Sequence, residues 1–205
     1  MKVVVLPGVY VYEDKPKYDD FIGKIKNKFK CQGEVFIWEM GWHHPEINLP
    51  YKTVRDFTCS VILDFQQAIQ QATSISVPEA DIYLGHSAGS IIALAQNKPC
   101  VIFGSPAALA EAIELRERFS SNESDDNLID IVSKIKRVDR PVLNIINRYD
   151  VLAYPINQSN IENYYYTGKR INPLSYFPLT AHYDYWNNDR IMKKIFESME
   201  KWIDK

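Results

Sequence analysis

The sequence predicts an α/β fold: one domain on a mostly parallel sheet of about six strands, with helices on both faces. Three observations predict it. Short β-rich runs at residues 3–6, 34–38, 81–84, 100–103 and 141–146 are almost wholly apolar, as strands covered on both faces are. Longer amphipathic stretches alternate with them, and a parallel neighbour needs such a crossover to bring the chain back. The pentapeptide Gly85-His86-Ser87-Ala88-Gly89 stands at one strand-to-helix junction. At 205 residues the chain can bury one continuous core without disulfide or metal staples.

Taken in order, the strand at 3–6 is closed by Pro7-Gly8, and residues 18–28 read as the first helix. The strand at 34–38 leads into the aromatic loop Trp42-His43-His44-Pro45, which either packs a strand end or lines a pocket. Residues 54–71 place Phe57, Val61, Ile62, Phe65, Ala68 and Ile69 on one helical stripe. The strand at 81–84 feeds the pentapeptide and a helix-like run at 90–95; the strand at 100–103 follows. Two helix-like pieces, 106–118 and 126–138, flank the polar tract 120–125. Residues 106–138 are thus either a small lid or two plain surface helices. After the strand at 141–146, Asn163-Tyr164-Tyr165-Tyr166 reads as a substrate wall or a half-buried surface, and the last strand is expected near 171–177. Residues 189–202 repeat the helical stripe with Ile191, Met192, Ile195, Phe196, Met199 and Trp202.

Composition narrows the function classes. With 46% hydrophobic and 24% charged residues the chain matches ordinary globular proteins, and no run is long enough to predict a membrane span. Lys+Arg at 24 against Asp+Glu at 26, without a basic block, argues against nucleic acid and against stable membrane insertion. Cys31, Cys59 and Cys100 show neither a paired spacing nor a zinc pattern, so reduced thiols and no bound metal are expected. The opening run Val3-Val4-Val5-Leu6 is too short for a signal-peptide core, which points to a cytoplasmic protein.

The chemistry centres on Ser87. A sharp turn that lifts a serine hydroxyl above a sheet leaves no room for side chains two positions before and after it, which Gly85 and Gly89 satisfy. A serine needs an imidazole to take its proton and a carboxylate to orient that imidazole. Of His43, His44, His86 and His182, only His182 lies beyond a plausible acid in the Ser, acid, His order of such sites. Asp150, just past the carboxyl end of the strand at 141–146, is the matching acid; Asp184, close to His182 in sequence but outside that order, is its competitor. His86 is expected to point into the core. The amide of Ala88, after the nucleophile, and that of Val9, after Pro7-Gly8, are the expected oxyanion donors.

These residues resemble the α/β-hydrolase superfamily, and the second half resembles its class 3, fungal-type lipases. The resemblance rests on Gly85-His86-Ser87-Ala88-Gly89, Phe103-Gly104-Ser105-Pro106, the run Asn147-Arg148-Tyr149-Asp150-Val151-Leu152-Ala153-Tyr154-Pro155, and His182-Tyr183-Asp184-Tyr185-Trp186. The chain departs at Ala88-Gly89-Ser90, where the family carries Leu-Gly-Gly, and it lacks the F-R-G-T segment. The resemblance implies a compact α/β-hydrolase fold and roles for Ser87, Asp150 and His182 as nucleophile, acid and base. The expectation is a cofactor-free serine esterase acting on a small acyl ester. A non-catalytic member of the fold, binding an acyl ligand or a protein partner, is the alternative.

Overall fold

Six strands lie side by side in the order β2-β1-β3-β4-β5-β6, all parallel. The computed structural model describes residues 1–8, 11–36, 75–107, 138–150, 153–168, 181, 185–186 and 188–203, with the backbone alone for 11–14. The strands are β1 (Lys2–Leu6), β2 (Gln32–Val35), β3 (Ile82–His86), β4 (Cys100–Phe103), β5 (Val142–Asn147) and β6 (Ile161–Tyr166). Three helices are described: α1 (Val11–Phe29), α2 (Ala88–Ala95) and α3 (Asp189–Ile203).

The alternation of side chains along each strand sorts the core into two layers. Val3, Val5, Ile82, Leu84, Val101, Phe103, Leu143 and Ile145 face one way, against Tyr18, Phe21, Ile22 and Ile25 of α1 and Ile191, Met192, Ile195 and Met199 of α3. Val4, Leu6, Tyr83, Cys100, Ile102 and Val142 face the other way, against Ile91, Ile92, Ala93 and Leu94 of α2. Helices therefore cover both faces, which is why β1, β3, β4 and β5 read as unbroken apolar runs. The outer strands β2 and β6 are only partly buried, and each carries a charged pair, Lys2 with Glu34 and Lys194 with Glu162.

Local signals set the helix ends. The Asn188 side-chain oxygen accepts from the Arg190 and Ile191 amides at 3.0 and 3.4 Å, capping α3. Lys30, at φ 50°, turns the chain out of α1. Helix α1 begins seven residues before the predicted 18–28 and runs through Pro16. The proline removes one helical hydrogen bond, and the buried stripe Tyr18, Phe21, Ile22 and Ile25 holds the helix in place despite it.

The strands expected at 3–6, 81–84, 100–103 and 141–146 match β1, β3, β4 and β5 to within two residues at either end. That expected at 34–38 is centred later than β2. The sixth strand is Ile161–Tyr166, so the tyrosine run read as a pocket wall or surface is the edge strand. The segments expected as the last strand (171–177), the helix at 54–71, the loop at 42–45 and most of 106–138 lie outside the described residues.

Because the chain leaves β1 for β2 on one side and returns to β3 on the other, the order reverses between β1 and β3. In open parallel sheets the crevice beyond the carboxyl ends of the strands at such a reversal is where ligands bind. Gly8 and Ser87 stand there.

Candidate active site

Ser87 joins β3 to α2 at φ 53° and ψ −124°, a conformation that residues with a Cβ rarely hold. Its amide donates to the Phe103 carbonyl at 3.0 Å, and its carbonyl accepts from the Ser90 amide at 2.9 Å and the Ser90 hydroxyl at 2.5 Å. The Ser90 hydroxyl also lies 2.8 Å from Ser105 Oγ, so two buried serines brace the turn from beneath.

Crowding explains the glycines. A Cβ on Gly85 would meet the Gly89 carbonyl oxygen and the Ser90 Cα at 2.6 Å; one on Gly89 would meet the Leu6 carbonyl oxygen at 2.0 Å. Gly104 is the one described glycine with positive φ, so a left-handed backbone is not what Gly8 supplies. Gly8 is small for another reason: a Cβ there would lie 2.7 Å from Ser87 Cβ and 3.3 Å from Ser87 Oγ. Gly8 thus lies directly against the serine side chain.

Ala88 opens α2, where the first four amides of a helix have no partner within it. Val9, the other expected oxyanion donor, and His182 and Asp184 lie outside the described residues. His86 points into the core as expected: it is fully buried, its Nδ1 lies 2.9 Å from the Tyr18 hydroxyl, and its ring centroid is 5.0 Å from that of Trp186.

Asp150 is 6% exposed and follows β5 by a turn in which its amide donates to the Asn147 carbonyl at 2.9 Å. Strand β4 separates β3 from β5, so two strand spacings, roughly 10 Å, separate the serine's strand from the carboxylate's. The Tyr185 hydroxyl donates to Asp150 Oδ2 at 2.6 Å and accepts from the Asn147 amide at 3.3 Å. Burial, and then the neighbouring Asp150 charge, push the Tyr185 phenol well above its ordinary range, so it stays a proton donor.

Asn147 ties three segments together. Its Nδ2 donates to the Ala181 carbonyl at 3.0 Å, and its Oδ1 accepts from the Tyr149 and Gly168 amides at 3.2 and 3.3 Å. Sequence reasoning singled out neither Asn147 nor Tyr185. Both fall within the motif segments, but nothing in their spacing announces a hydrogen bond between residues 38 positions apart. A cavity of about 350 Å³ lies beside this turn, lined by Ile146, Asn147, Arg148, Asp150, Pro155 and Tyr165 among others.

The chain has no match among known protein families, curated proteins or solved structures. The site is therefore read from its own chemistry.

Proposed function

We propose that the chain is a serine hydrolase of the α/β-hydrolase type, cleaving a small carboxylic ester or related acyl bond through an acyl-enzyme. Ser87 is the nucleophile, Asp150 the orienting acid and His182 the base; the amides of Ala88 and Val9 receive the oxyanion. The observation that carries this reading is the strained Ser87 turn, enclosed by three glycines that have no room for a Cβ. Such strain persists only where the surrounding structure imposes it, and it gathers where a side chain must be presented for chemistry. The buried Asp150, at the same edge of the sheet, supports the reading. So do the segment's flanks: His182 lies in sequence between Ala181 and Tyr185, which are bonded to Asn147 and Asp150.

In this reading the imidazole takes the Ser87 proton as Oγ attacks the acyl carbon, then returns it to the leaving alcohol; water reverses the sequence and frees the acid. No helix among the described residues is long and apolar enough to cross a membrane. The test is intact-mass detection of a fluorophosphonate adduct, which needs no guess about substrate. One adduct on the wild type, lost in Ser87→Ala, is expected; no adduct on folded wild type overturns the reading.

A further inference from the structure

Resting on the hydrolase reading, we propose that Tyr185 is a positioning residue of this site, its hydroxyl holding the Asp150 carboxylate by Oδ2 and so fixing the orientation in which that carboxylate serves the general base. The geometry directs the phenolic proton. Tyr185 Oη accepts from the Asn147 amide at 3.3 Å, so its own proton goes to Asp150 Oδ2, 2.6 Å away. The ring is held as firmly as the hydroxyl: it is fully buried, with the rings of Tyr166, His86 and Phe103 at centroid distances of 5.6, 5.9 and 6.0 Å.

An aspartate needs this help because its carboxylate turns easily about the last torsion. A short bond from a buried phenol removes that freedom and withdraws charge from the carboxylate. An imidazolium beside a carboxylate so engaged is less stabilised, and its pKa is lower than it would be beside a bare one. The base must be neutral to accept the Ser87 proton, so the reaction fails as pH falls through that pKa. Removing the hydroxyl restores charge to Asp150, raises the base's pKa and moves the acid limb to higher pH.

The experiment is the pH profile of the second-order rate of fluorophosphonate inactivation, measured for wild type, Tyr185→Phe and a variant carrying 3-fluorotyrosine at position 185. Tyr185→Phe is expected to lower the plateau about tenfold and to shift the acid limb upward by about half a unit to one unit. The fluorinated ring keeps its size but donates more strongly, so its limb is expected to shift downward. That variant decides alone if Tyr185→Phe does not fold. Limbs that coincide with the wild type's, even with a lower plateau, would mean that Tyr185 only packs, and would overturn the proposal while leaving the hydrolase reading intact. Absence of any Ser87-dependent labelling overturns both.

Discussion

Ser87 holds φ 53° at a cost of about 1–3 kcal/mol, and its neighbours show where that conformation is enforced. Gly89 faces backbone: a Cβ there would overlap the carbonyl oxygens of Leu6 and Pro7 at 2.0 and 2.5 Å, and neither can rotate away. Gly89→Ala is therefore expected to lose about 3 kcal/mol or more in urea unfolding. Gly8 faces the Ser87 side chain, at 2.7 Å from its Cβ. Ser87 Cβ does not move when the side chain rotates, so Gly8→Ala must shift the Ser87 turn itself: a loss of about 1–3 kcal/mol in urea unfolding and fluorophosphonate labelling slowed at least about tenfold are expected together. Labelling of Gly8→Ala at the wild-type rate would mean that Gly8 does not bear on the position of the serine.

Among the elements, α1 is the informative one. Its second half carries the buried stripe, but Pro16 lies five residues inside its start, where proline forfeits a hydrogen bond and crowds the preceding turn. Pro16→Ala restores an amide that α1 can use, and a gain of about 1–3 kcal/mol in urea unfolding is expected; a loss would mean that the helix does not use it. Strand β6 shows how an edge element hides. Its burial is mixed, with two exposed positions among its six, so it shows neither the continuous apolar run of β4 nor strict alternation. What seats it is polar: Asn163 Oδ1 accepts from Asn144 Nδ2 at 2.9 Å and from the Ile156 amide at 3.1 Å, while Asn163 Nδ2 donates to the Ile156 carbonyl at 3.0 Å. Period and propensity carry no trace of such bonds.

Across the whole molecule, burial of ionisable groups makes the fold sensitive to alkali. Full burial pushes the Cys100 thiol from its ordinary 9.0 up to about 12, and Tyr185 is pushed up from 10.0. Both are neutral in the fold and titrate earlier in the unfolded chain, so the unfolded state loses protons first. The Cys100 contribution is whole below pH 9.0 and declines as pH rises toward its folded value of about 12; that of Tyr185 begins to decline only above pH 10.0. The urea-unfolding free energy of the wild type is expected to fall more steeply than that of Cys100→Ala, by up to about 1.4 kcal/mol per pH unit in that window; parallel curves would mean that Cys100 is solvated in the fold. At this scale the division between sequence and tertiary structure is clear. The apolar runs of β1, β3, β4 and β5, the stripe of α3 and the Gly85-Ser87-Gly89 spacing determined the α/β class and the candidate nucleophile, because burial on two faces and crowding at a tight turn act through local residue types. The strand order and its reversal at Gly8 and Ser87, the seating of β6, and the joining of Asn147, Asp150 and Tyr185 were decided only by tertiary structure, because they depend on directional hydrogen bonds and close approaches between residues far apart in the chain.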